Sequence, residues 1–274
     1  EVLRLALPNV AERVLSLTVN IINTILVGHL GASALAAVGL SGTIEMIGSS
    51  LLMAVGTGAT ALVAQAVGAR NLGLAQRVLQ QSMLVAIGMG LLFAALFLPL
   101  TRQSLVLLGA EEGAAALGMD YLPYLSATLP MVSLLYVGGA ALRGAGDTRV
   151  PMYIMGLMNV VNVILSWVLI RGWAPLAPLG VRGAGIAAGV SRALAGLVML
   201  AWLRSGRGRM YLPRLIARPE RDVLSRLLQV GLPAAGETIL MRIAFLSYTR
   251  AISSLGTVVY AAHVIAERVE NISF

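Results

Sequence analysis

Polar side chains recur at helical spacing inside stretches that are otherwise apolar. Asn9, Glu12, Ser16, Asn20 and Asn23 follow one another at steps of three or four residues, which puts them on one helix face. Ser41, Glu45 and Ser49 repeat at steps of four, and Asn159, Asn162 and Ser166 at three and four. Amides and hydroxyls of this kind can hold a cation or the polar part of an organic solute, and carboxylates can also carry a proton. The Asn and Ser positions serve equally well as hydrogen-bonding glue between helices. Three polar stripes on three helices predict a common polar interior.

Glu45 carries the strongest chemical signal. It lies about twelve residues into its helix, near the midplane by helical rise. A carboxylate at that depth is a functional residue by default. Its structural alternative is an ion pair, for which Arg192 in the middle of the sixth helix is the partner. Glu12 beside Arg13, and Glu237 with Arg242 and Arg250 further along its helix, pose the same choice. Gly56-Thr57-Gly58 lacks the lysine of a phosphate loop and sits in an apolar helix, which points to packing or a bend. His29 and His263 are isolated, so no metal site is expected. No nucleophile elbow, zinc-protease pair or Walker motif is present, which argues against an enzyme and an ATP-driven pump.

The elements that position these residues must be membrane helices. The 274 residues are 58% hydrophobic and only 12% charged, with a mean hydropathy of +0.86. A soluble domain carries about 25% charged residues. Stretches 14–44, 82–101 and 121–142 contain no Asp, Glu, Lys or Arg, and about 20 apolar residues span a bilayer. The runs are continuously apolar, without the alternation of a lipid-facing barrel. No cysteine is present, which excludes disulfides and thiolate metal sites. The chain opens on Glu1 with no signal-peptide pattern, so a trimmed N-terminus is expected.

Eight helices are predicted, over 2–28, 34–67, 73–99, 114–142, 149–170, 182–204, 222–253 and 258–274. Gly and Pro punctuate the junctions. All 20 basic residues are Arg. They crowd the even connections, at Arg70, Arg77, Arg143 and Arg149 and in a cluster from Arg204 to Arg226. The odd connections hold only Arg102, Arg171 and Arg182, with Glu111, Glu112 and Asp120. By the positive-inside rule the N-terminus and the even connections are cytoplasmic. The net charge of +8 then reflects topology and anionic lipid, not nucleic acid. Residues 205–221, the longest polar stretch, are predicted to be a cytoplasmic linker.

The chain also repeats. Slid by 225 positions, Leu7-Pro8 falls on Leu232-Pro233, Glu12 on Glu237, Leu30-Gly31 on Leu255-Gly256, Ala36-Ala37 on Ala261-Ala262 and Glu45 on Glu270. Six helices separate the two copies, so both start on the same side, a parallel repeat. The organisation expected is a first lobe of six helices over 1–204, the linker 205–221, and the start of a second lobe over 222–274. A complete second lobe would extend the chain to twelve helices.

Several segments resemble the multidrug and toxic compound extrusion (MATE) family. They are Leu7-Pro8; Val27-Gly28-His29-Leu30-Gly31 with Leu35-Ala36-Ala37-Val38-Gly39; Ala64-Gln65-Ala66-Val67-Gly68-Ala69; and Leu179-Gly180-Val181-Arg182-Gly183-Ala184-Gly185. The most specific is Leu142-Arg143-Gly144-Ala145-Gly146-Asp147-Thr148-Arg149-Val150-Pro151. The resemblance runs through the whole chain in order. It implies an all-α polytopic membrane protein, a six-helix bundle plus the first two helices of a second pseudo-symmetric bundle. It also implies an antiporter that exports organic, cationic or amphipathic compounds by alternating access, driven by protons or sodium.

The family often carries Asp where this chain has Asn23, Asp where it has Ser166, and Thr where it has Ala188. Asn23 and Ser166 cannot bind and release a proton at physiological pH. The usual proton site therefore looks dismantled, with Asn162 as its remnant, and coupling is expected to have moved to Glu45, echoed by Glu270. Candidates for coupling or cavity lining are thus Glu45, Asn23, Asn162, Ser166, Asn20, Glu12, Glu237 and Glu270. No cofactor is expected beyond H+ or Na+ as coupling ion, and no metal. Expected partners are the lipid bilayer and a small organic substrate, with a monomer in the plasma membrane. A lipid-linked-precursor flippase of the same superfamily is the main alternative, kept open by Arg192; a non-transporting membrane module is another.

Overall fold

The computed structural model describes residues 2–172, 177–208, 210–212 and 218–253. Ten helices lie among them, with no strand among the described residues. The long ones are α1 (Val2–Gly28), α2 (Ala32–Gly68), α3 (Leu72–Phe97), α8 (Arg149–Arg171), α9 (Gly180–Arg204) and α10 (Arg221–Ser253). Between α3 and α8 come the shorter α4 (Thr101–Leu107), α5 (Glu112–Met119), α6 (Leu122–Ala127) and α7 (Leu129–Gly144).

The predicted fourth helix, 114–142, is the main departure. It is broken into α5, α6 and α7, and the α5–α6 stretch bends against α7 by 51°. Pro123 and Pro130 each sit in the first turn of a helix, where the missing N–H costs nothing. Between them the Thr128 hydroxyl bonds back to Tyr124 O at 3.1 Å and Leu125 O at 2.9 Å, a local alternative to the helical ladder.

Four described helices are long and apolar enough to cross a membrane, or five if the bent pair counts as one span. Ile21, Met53, Leu92, Leu107 and Ile164 are all exposed, an apolar skin suited to lipid and not to water. The chain is an integral membrane protein with apolar helices. At 37 residues, α2 rises about 55 Å, more than a hydrocarbon layer of roughly 30 Å.

The first compact unit is Glu1–Gly231, so its edge lies beyond the expected boundaries at 204 and 221. At its centre α7 packs on α2, α3 and α9, while α8 lies against α9 and α1 against α8. Small residues allow the closest approaches. A Cβ on Gly144 would lie 2.5 Å from Thr60 O on α2, and one on Gly183 would lie 2.5 Å from Leu169 O on α8. Lipid offers helices no hydrophobic drive to associate, so contact of this kind supplies the packing energy.

The described part of the polar stretch after α9 is docked on this unit. Met210 and Leu212 are buried in the main core cluster, and Leu212 N donates to Leu203 O at 2.7 Å. The fully buried Gln81 on α3 holds the segment further on, donating to Arg218 O at 2.9 Å and accepting from Glu220 N at 3.1 Å. The second unit is Leu232–Phe274. α10 runs through Pro233, as α1 runs through Pro8, the residue matched to it in the repeat.

Candidate functional site

The segment with the strongest family resemblance turns out to be a helix junction. α7 ends at Gly144. Gly146 adopts φ +85°, Gly146 N bonds Arg143 O at 3.0 Å, and Asp147 N bonds Leu142 O at 2.9 Å. A left-handed glycine with these bonds satisfies the last carbonyls of a helix. Asp147 Oδ1 then accepts from Arg149 N and Val150 N, each at 3.2 Å, capping the start of α8. The motif ends one helix and starts the next, and so fixes the height of Asn159 and Asn162 on α8.

Those two asparagines meet the stripe of α1. A cavity of about 400 Å³ is bounded by α1, α2, α8 and α9, with Tyr121 and Tyr136. Ser16, Asn20 and Asn23 line it from one side and Asn159 and Asn162 from another. Asn159 Nδ2 donates to Ser16 Oγ at 3.3 Å. Asn23 Nδ2 donates to Asn162 Oδ1 at 2.7 Å, Asn162 Nδ2 to Ser191 Oγ at 3.3 Å, and Ser191 Oγ to Ala187 O at 2.8 Å. Ala188 lines the cavity without a hydroxyl. Ser191, three residues further on α9, supplies the hydroxyl that closes the network.

Two of the three polar stripes therefore converge and one does not. α2 faces the cavity with Leu35, Val38 and Gly39. Its Ser41 and Ser49 bond back to Ala37 O at 2.7 Å and Met46 O at 3.2 Å in their own helix. Ser166 is buried on α8 but does not line the cavity.

Glu45 is paired. Its Oε1 lies 2.6 Å from Nη1 of Arg192, with the two side chains 15% and 24% exposed. Arg192 lines the cavity and Glu45 does not. Of the two readings open for Glu45 in the sequence, the pair is the one present in this structure. A buried pair of this sort is close to neutral overall, yet removing either partner strands the other charge.

Glu12 lines a second cavity, of about 310 Å³, with Thr57, Thr60 and Arg143. Tyr136 and Met155 line both cavities. Glu237 is exposed on α10 in the second unit. Glu270 and His263 lie outside the described residues. His29 is exposed, its Nδ1 2.6 Å from Ile25 O. Among the described residues no three His, Cys, Asp or Glu side chains could hold a metal ion together.

A sequence model of the MatE family matches residues 8–168, more than half of the chain. The chain belongs to the MatE family. A probable multidrug resistance protein NorM of Thermotoga maritima is 32% identical over all of this chain and 59% of its own length. An FAD transporter of Shewanella oneidensis is 33% identical over 68% of this chain and 41% of its own. A solved structure described as MATE in the bent conformation superposes with a TM-score of 0.89 at 26% identity, covering 98% of this chain and 60% of that one. The chain thus spans 59% of the length of the Thermotoga maritima relative. These MatE relatives are transporters, not enzymes.

Proposed function

We propose that this MatE chain is the first lobe, with the start of a second, of a secondary active antiporter. It exports organic, cationic or amphipathic compounds in exchange for protons or sodium by alternating access. One observation carries the reading: an amide-lined cavity of about 400 Å³ inside a bundle of largely apolar helices. Leaving such a polar surface in hydrocarbon is costly unless it serves a solute or ion path. The multidrug resistance name of the Thermotoga maritima relative supports the same reading. The Arg distribution supports a plasma-membrane protein with a cytoplasmic N-terminus and a cytoplasmic 205–221 segment.

Coupling through Glu45 belongs to this proposal. Loading a proton there would leave Arg192 as an uncompensated buried charge, so the step requires Arg192 to find another partner at the same time. A second reading, a flippase for anionic lipid-linked precursors, is favoured by Arg192 alone. The test is efflux from proteoliposomes holding the intact gene product, driven by an imposed proton or sodium gradient. Gradient-driven efflux that Glu45→Gln abolishes is expected. Efflux that is unaffected by Glu45→Gln removes Glu45 from coupling, and absence of any gradient-driven efflux removes the antiporter.

A further inference from the structure

Arg192 has donors that the described residues leave unused. A guanidinium presents five N–H groups in a fixed fork. Beyond its ion pair with Glu45, Arg192 makes no hydrogen bond among the described residues. Among the described residues it is also the only charged one lining the first cavity. Tyr121 and Tyr136 line the same space, and their hydroxyls donate to no acceptor among the described residues.

Asn23 presents the opposite deficit. Its Oδ1 is buried and has no donor among the described residues. The amide orientation follows the run of donors along the network. Ser191 Oγ donates to Ala187 O of its own helix and accepts from Asn162 Nδ2. Asn162 Oδ1 must then accept from Asn23 Nδ2. Turning the Asn23 amide over would set two acceptors against each other, so the unpaired atom is an oxygen.

We infer that this cavity is a subsite for an organic acid that also carries an N–H group. The carboxylate takes the free edge of Arg192, and the N–H group donates to Asn23 Oδ1. An Arg fork matches a carboxylate with two parallel hydrogen bonds. A carboxylate suits the site better than a phosphate dianion, because Glu45 already balances the single guanidinium. Val19, Val38, Met155 and Met158 add an apolar part of the wall that suits a carbon skeleton. The inference rests on the organic-solute reading above and narrows its amphipathic class, at this subsite, to acids that carry an N–H group.

Two dyes with one ring system test it. Rhodamine 110 bears a free carboxylate and aromatic amines, and rhodamine 123 is its methyl ester. Binding to the purified intact gene product is followed by fluorescence polarisation. The acid is expected to bind about tenfold more tightly than the ester, the worth of one hydrogen bond to a charged group. The double variant Glu45→Gln/Arg192→Gln, which keeps the local charge neutral, is expected to bind both dyes alike. Arg192→Lys retains a counter-ion for Glu45 but loses the fork; it is expected to lose most of the preference and serves should the double variant not fold. Equal binding of acid and ester by the unmodified protein overturns the acid subsite and leaves the organic-solute reading standing. So does a preference for the acid that survives in the variants. Binding of neither dye overturns both.

Discussion

Asn23 Nδ2 on α1 donates to Asn162 Oδ1 on α8 at 2.7 Å. Two neutral amides thus meet where the family resemblance leads one to expect a carboxylate. The bond continues through Ser191 to a backbone carbonyl of α9, so three helices are tied by one run of donors pointing the same way. Links of this kind stiffen their surroundings, and a broken one is costly in low dielectric.

Removing the Ser191 hydroxyl would strand Asn162 Nδ2. Ser191→Ala is expected to destabilise the protein by about 1–3 kcal/mol, the cost of an unsatisfied buried polar group. Ser166→Ala, at the position the family pattern singles out, is expected to change little, because Ser166 lies outside the cavity lining. Melting temperatures in detergent compare the two. A larger drop for Ser166→Ala would show that the family pattern, and not this network, locates the structural hydroxyl.

The Glu45–Arg192 pair makes a different prediction, one of non-additivity. Glu45→Gln and Arg192→Gln should each destabilise, toward the roughly 3–5 kcal/mol seen when a fully buried pair is broken, and less here because both side chains are partly exposed. The double variant should recover most of the loss. A double-mutant cycle on unfolding in detergent measures the coupling. Additive effects would mean that the two charges do not depend on each other.

Much of this was legible in the sequence, and the limits are instructive. Composition alone specifies membrane helices, because 12% charge cannot build a water-facing surface. The stripes of α1 and α8 were readable as cavity walls because spacing of three and four fixes a helix face. The stripe of α2 was not, because periodicity says which residues share a face but not which neighbour that face meets. Ser191 escaped notice since a lone serine in a small-residue helix resembles packing. The signal available was its place beside Arg192, two polar residues together mid-helix. The break at Thr128 was hidden because Pro123 and Pro130 sit in an unbroken apolar run, and only their fit to first-turn positions marks two helix starts.

The glycines of the junction after α7 should separate two kinds of cost. A Cβ on Gly144 would lie 2.5 Å from Thr60 O and 3.0 Å from Thr60 Cα, backbone atoms that cannot move aside. Gly144→Ala is expected to sharply reduce the yield of folded protein. Gly146 has open space around it but a φ of +85°. Gly146→Ala is expected to cost only about 1–2 kcal/mol of backbone strain. Size-exclusion profiles and melting temperatures distinguish them, and equal tolerance at both sites would refute the close approach of α2 and α7.

Gln81 holds the chain between α9 and α10 to the first unit. Its amide donates to Arg218 O and accepts from Glu220 N, and Arg77 stands 3.8 Å from Glu220 as a weaker, exposed contact. Surface pairs of that kind contribute little, so the amide should govern the docking. Gln81→Leu keeps the bulk and removes both hydrogen bonds. The exposed Arg221, at the end of the docked segment, is a trypsin site, whereas Arg218 is protected from trypsin by the Pro219 that follows it. Faster tryptic cleavage after Arg221 is expected in Gln81→Leu, while Arg77→Gln should cut at nearly the unmodified rate. If the order of the two variants is reversed, the ion pair and not the buried amide is the clamp.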